Sequence, residues 1–132
     1  MARTDTIEYI TIASTGNAAD FGNLTTSRQY MPGGCSDGTK GVYGGGYDTS
    51  YSNVIDYVNI SSTGNASDFG DLTTAQKAYT TAASDATKGV WFGGQHPNVN
   101  IIDYVTIASI GNATDFGDLA SVNNGPAAAS GD

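Results

Sequence analysis

The chain has 132 residues and a mass of 13.5 kDa, with 5 Lys+Arg against 13 Asp+Glu and a formal net charge of −8. That balance argues against a surface that tracks nucleic-acid phosphates, which needs clustered Lys and Arg to release counterions. Its 18 Gly and 8 Tyr beside many Thr, Val and Ile lean toward β structure, and a single Cys rules out an intrachain disulfide.

The first element in chain order is TIEYITIASTGNAADFGNL, residues 6–24. Near-copies follow at 54–72 (VIDYVNISSTGNASDFGDL) and 101–119 (IIDYVTIASIGNATDFGDL). The equivalent tyrosines Tyr9, Tyr57 and Tyr104 stand 48 and 47 residues apart, too long a period for leucine-rich or ankyrin units. The spacers at 25–46 and 73–94 align as well, so the whole period repeats.

Turn signals cut each period into four short strands. Strand a is the small-residue run at 28–36 and 77–84, ended by Ser-Asp-Gly-Thr or Ser-Asp-Ala-Thr. Strand b is KGVYGGG (40–46) or KGVWFGG (88–94), closed by Gly45-Gly46 or Gly93-Gly94, where a positive φ or close backbone approach is expected. Strand c spans 54–62 or 101–109 and ends in a Gly-Asn turn, and strand d spans 66–72 or 113–119. On strand c, Ile55, Tyr57, Asn59 and Ser61 alternate with Val54, Asp56, Val58 and Ile60; neither face is purely polar, as suits a sheet covered on both sides. Phe21, Phe69 and Phe116 supply the large apolar side chain of each strand d.

GVYGGGY followed by VIDYVNISSTGNASDFGDLTTAQ resembles a kelch-type β-propeller blade. The likeness lies in the Gly-Gly pair closing a hydrophobic strand, an aromatic in the next strand (Tyr57, Tyr104), and a second aromatic about a dozen residues on. There the family usually carries Trp and this chain has Phe69 and Phe116; Arg28 is the partial counterpart of the family's Arg-rich approach to strand a. The phrase IDYVTIAS with GNATDFGDL is also similar to repeats of virion proteins from marine and other tailed phages. The resemblance implies an all-β fold of kelch-like β-propeller blades, four-stranded antiparallel repeats of 47–48 residues, about 2.75 of them in this chain. Residues 1–24 would be the outer half of a first blade, 25–72 a second, 73–119 a third, and 120–132 the first strand of a further one.

Counted this way the chain carries eleven strands, whereas propellers close with 4 to 8 four-stranded blades. The expected partners are therefore further blades from a longer chain or homo-oligomeric copies, with virion proteins or a host-surface receptor beyond them. The longer chain is the favoured expectation. MARTDTIEYI lacks an apolar signal core and no window approaches the ~18 apolar residues of a membrane span, so neither secretion signal nor membrane partner is expected.

Chemistry finds little footing. DFG recurs three times without a catalytic-loop His-Arg-Asp or a phosphate loop. Asp68/Asp71 and Asp115/Asp118 offer too few carboxylates for Ca²⁺, and Asn23 replaces Asp in the first copy; turn and cap roles fit better. His96 has no companion for a zinc site, and Cys35 stands where the next copy has Ala83, a poor position for a nucleophile. The expectation is no catalytic, cofactor-binding or metal residue. The alternatives to a structural part of a phage tail, fibre or decoration are a recognition propeller and, last, a carbohydrate-acting propeller enzyme. Recognition would fall to the loops between strands b and c, which differ between copies: Tyr47, Asp48 and Tyr51 in one, Gln95, His96 and Asn98 in the other.

Overall fold

The computed structural model describes residues 2–30, 33–74, 80–95, 98–123 and 125–130. These residues form ten strands and no helix, and every pairing is antiparallel. β1 (Thr4–Tyr9) pairs with β2 (Ala19–Arg28) in a two-stranded ladder. β3 (Gly33–Ser36), β4 (Lys40–Gly44), β5 (Val54–Asn59) and β6 (Ser67–Asp71) follow one another across a four-stranded sheet. β7 (Thr81–Ser84), β8 (Lys88–Phe92), β9 (Ile101–Thr106) and β10 (Thr114–Asp118) make a second sheet of the same order.

Local chemistry fixes each turn. Asp37 Oδ1 accepts the Thr39 and Lys40 amides at 2.8 and 2.7 Å, and Asp85 Oδ1 accepts those of Thr87 and Lys88 at 2.9 and 2.6 Å. Such Asx turns mimic a backbone turn and set the register of β3–β4 and β7–β8. The glycines that end β4 and β8 leave the strand in the left-handed region, with φ of 89° and 105° at Gly45 and Gly46 and of 61° and 141° at Gly93 and Gly94, which a side chain would make costly.

The core lies between the two four-stranded sheets. Val42, Ile55, Phe69 and Leu72 from one side and Trp91, Val105 and Ile107 from the other are buried together, with Cys35, Tyr57, Ala82 and Ala113 against them. The inner strands touch through small residues: a Cβ on Gly33 would lie 2.7 Å from the Ala82 nitrogen, and Ser84 Oγ donates to the Ser36 carbonyl at 2.8 Å. Trp91 donates its Nε1–H to the Gly33 carbonyl at 2.9 Å, and its ring fills the space over Gly44, where a Cβ would meet it at 2.9 Å. Gly44 thus admits the largest side chain of the core.

β5 is covered on both faces, since neighbours Ile55 and Asp56 are each fully buried. Asp56 survives burial because Thr25 Oγ1 donates to it at 2.6 Å and the Arg28 guanidinium forms an ion pair with it. Asp103, its equivalent on β9, takes the Thr73 hydroxyl at 2.6 Å. Buried charge persists only when paired in this way.

Several strand assignments need correction. Strand c stops at Asn59 and Thr106, because the Ser62 and Ser109 amides fold back onto the Asn59 and Thr106 carbonyls in a turn; Ser61 is therefore in the turn. Strand a is shorter, Gly33–Ser36 and Thr81–Ser84, with Arg28 at the end of β2 and 77–79 outside the described residues. Ten strands replace eleven: residues 126–130 form no ladder among the described residues. Pro126 has no amide to give, although the Ser130 hydroxyl still accepts the Ser84 amide at 2.9 Å.

Candidate functional site

Two features stand out as surfaces for a partner: the loop after β4 and the junction between successive repeats. The loop is built on Arg28. Buried at the end of β2, it donates to the carbonyls of Gly45 and Val54 at 3.0 and 3.1 Å, so it holds both ends of the loop while paired to Asp56. Burial pulls the guanidinium down from its ordinary value, opposed by the charge of Asp56 and, further off, of Asp48 and Asp68.

On this base Tyr47 exchanges backbone hydrogen bonds with Gln29 at 2.9 and 3.0 Å. Its ring meets Tyr51 at 5.0 Å between centroids, nearly edge to face, and Tyr30 at 5.9 Å, within the range where aromatic pairs attract. Tyr30 holds φ of 58°, an uncommon conformation for a bulky residue. Asp48 forms an ion pair with Arg3. Three half-buried tyrosines and one ion pair therefore gather at Tyr47, Asp48 and Tyr51. Tyr30 and Arg3 are additions that the repeat alignment could not reveal, since they lie far from the loop in sequence.

The corresponding loop after β8 is plainer. Gln95 is half-buried and Asn98 exposed, and the loop closes on itself through the Val99 amide and the Gly94 carbonyl at 3.1 Å. His96 lies outside the described residues.

The junction is more regular. Each repeat carries the same edge-to-face pair, Tyr9–Phe21, Tyr57–Phe69 and Tyr104–Phe116, at 5.9, 5.9 and 5.7 Å. Beside each Phe the backbone of one repeat meets the Gly-Asn-Ala turn of the next. The Phe21 and Asn23 carbonyls accept the Gly64 and Ala66 amides at 2.7 and 2.8 Å, and Asn65 Oδ1 accepts the Asn23 amide at 3.1 Å. One repeat on, the Phe69 and Asp71 carbonyls accept the Gly111 and Ala113 amides at 2.9 and 2.8 Å, and Asn112 Oδ1 accepts the Asp71 amide at 3.1 Å. Between each pair sits a glycine, Gly22 or Gly70, whose Cβ would come within 2.2 or 2.5 Å of the Gly64 or Gly111 oxygen.

The groups with chemical potential are otherwise engaged. Burial pushes the Cys35 thiol up to about 12, so little thiolate is present near neutral pH. Asp68 and Asp115 accept the Gly70 and Gly117 amides at 3.2 and 2.9 Å. Among the described residues no three His, Cys, Asp or Glu gather to hold a metal, and no helix is long and apolar enough to cross a membrane. No protein-family model matches the chain, and no curated protein matches it.

Proposed function

We propose that the chain is a non-enzymatic structural and interaction component of a phage particle, part of a tail, fibre or decoration, built from kelch-like β-propeller blades that assemble with further blades or further copies. The observation that carries this reading is the junction. Beside a Tyr–Phe pair within each repeat, the side-chain chemistry that recurs between units serves to attach one repeat to the next: a Gly at closest approach, an Asn cap, a buried Asp held by a Thr. In this reading residues 1–24, 25–72, 73–119 and 120–132 are consecutive portions of blades, and Ser130 on Ser84 stands as Ser84 stands on Ser36. The resemblance of the repeat to phage virion sequences supplies the setting.

The test is mass spectrometry of purified particles from the source, with antibody labelling of intact particles. Peptides of this chain at stoichiometric level and labelling at one structural position are expected. A chain found only in the soluble fraction would overturn the reading.

A second reading, recognition of a host-surface or protein partner through the loops, is favoured by the Tyr30–Tyr47–Tyr51 cluster that Arg28 anchors. Replacing residues 47–51 and 95–98 with Gly-Ser should abolish attachment while leaving the fold intact; attachment at the original level would remove this reading.

A further inference from the structure

We infer that copies of this chain join head to tail, with Phe116-Gly117-Asp118 of one copy receiving the Gly16-Asn17-Ala18 turn of the next. The inference rests on the proposed reading of the repeats as assembly units and names the contact they would use.

Both halves of the internal lock are present in an unfilled form. At β10 the carbonyls of Phe116 and Asp118 and the Asp118 amide occupy the positions of Phe69, Asp71 and the Asp71 amide, but no partner for them exists among the described residues. A Cβ on Gly117 would meet nothing within 4 Å, against 2.5 Å at Gly70. Phe116 is 59% exposed where Phe69 is 1% exposed. At the other end Ala18 is exposed where its docked equivalents Ala66 and Ala113 are half-buried.

Both halves also hold their docked shape. Gly117 keeps φ of 142°, beside 148° and 144° at Gly22 and Gly70. The Asp115 side chain caps the Gly117 amide as Asp68 caps that of Gly70. The first turn closes through the Ser14 amide and the Thr11 carbonyl at 3.2 Å, as the later turns close through Ser62–Asn59 and Ser109–Thr106 at 3.4 and 3.0 Å. Little ordering cost remains for docking, which favours association.

The occupant is a second copy, whose Gly16-Asn17-Ala18 turn has the same sequence as the Gly64-Asn65-Ala66 and Gly111-Asn112-Ala113 turns that fill the internal junctions. Such a contact is heterologous, so it propagates into a ring or an open filament. It is also weaker than the internal junctions: Ala120 replaces Thr25 and Thr73, and Glu8 replaces Asp56 and Asp103, so the hydroxyl–carboxylate bond is lost at this seam. The net charge of −8 further opposes it at low ionic strength.

The experiment is sedimentation velocity of the 132-residue chain at about 0.15 M salt, where the Debye length is about 8 Å, up to about 1 mM protein. Mass rising with concentration above 13.5 kDa is expected. Two variants block opposite halves: Gly117→Ala places a Cβ in the contact, and at φ of 142° also strains β10 and lowers the melting temperature of the single chain, while Ala18→Pro removes the amide that the Asp118 carbonyl would accept. Ala18→Pro, in an exposed turn, should keep the parental melting temperature. Each variant alone should sediment as a monomer at every concentration. Mixed one to one, they should form a species of twice the chain mass and no larger, because Gly117→Ala retains the turn and Ala18→Pro retains the receiving edge. Monomer throughout for the parent chain, assembly of either variant alone, or a mixture that stays monomeric would overturn the inference. Particle mass spectrometry decides the virion reading separately: complementation with no virion peptides would leave the seam standing and remove that reading.

Discussion

The second and third repeats carry nearly the same strands d, SDFGD and TDFGD, in nearly the same pairing with strand c, yet Phe69 is 1% exposed and Phe116 is 59% exposed. Leu72 is buried and Leu119 is only half-buried. Their own sheets do not account for the difference, because Tyr57 and Tyr104 meet the two rings at 5.9 and 5.7 Å in the same orientation. What differs is the neighbour: the Gly111-Asn112-Ala113 turn lies along β6, whereas Gly117 on β10 has open space beside it. Burial in this protein belongs to pairs of repeats, so identical sequence has different energetic weight at different places along the chain.

The comparison is broken most directly by truncating each ring. Phe69→Ala empties a filled core position and should cost about 3–5 kcal/mol. Phe116→Ala removes an exposed ring and should stay within about 0.5 kcal/mol in dilute solution. Urea unfolding monitored at Trp91 gives both values; equal losses would show that each repeat buries its own Phe.

A comparably large effect is expected at the base of the β4–β5 loop. Arg28→Ala strands the fully buried Asp56 carboxylate and releases the Gly45 and Val54 carbonyls. Breaking a buried pair from one side costs about 3–5 kcal/mol. The same variant should unpin Tyr47 from Gln29, visible as faster amide exchange at Tyr47 than at Val90. Unchanged stability would mean that Thr25 alone satisfies Asp56.

The repeat made much of this legible in the sequence. Period-2 alternation in VIDYVN and the turn residues around it mark β4 to β6 and β8 to β10 to within a few residues, because side chains of a two-sided strand and the Asx turns are local properties. Strand a was harder to delimit, since a run of small residues such as AYTTAAS carries no alternation and its pairing is set by the sheet it joins. The unequal fate of Phe69 and Phe116 is invisible in an alignment that makes them equivalent. The loop residues Tyr47 and Tyr51 were marked by their variation between copies; Tyr30 and Arg3 complete that surface through contacts that no periodicity encodes.

A smaller contrast lies in the tight turns, where Gly38 has φ of 85° and its equivalent Ala86 has φ of 67°. A left-handed residue with a Cβ costs about 1–2 kcal/mol, while glycine gives back roughly 0.5–1 kcal/mol through its freer unfolded chain. Ala86→Gly should therefore stabilise by about 0.5–1 kcal/mol and Gly38→Ala destabilise by a similar amount. Opposite shifts in melting temperature would confirm that the two turns share one backbone. A loss in both variants would show that the third repeat has adapted to alanine.

The smallest effect concerns acid. The Lys40 and Lys88 amides, with those of Thr39 and Thr87, hold the carboxyls of Asp37 and Asp85 below the usual carboxylate range. A carboxyl depressed on folding contributes stability that is complete above its unfolded value, about 3.9, and is lost as pH falls through the folded value. Asparagine keeps the accepting oxygen but does not titrate, so Asp37→Asn with Asp85→Asn should leave the fold unchanged near pH 7 and reduce the loss below about pH 4. Protonation of the other acidic residues also relieves self-repulsion in a chain of net charge −8, but that relief acts on parent and variant alike. The difference between their melting temperatures from pH 7 to pH 3 therefore isolates the two turns, and a constant difference would exclude them from the acid transition.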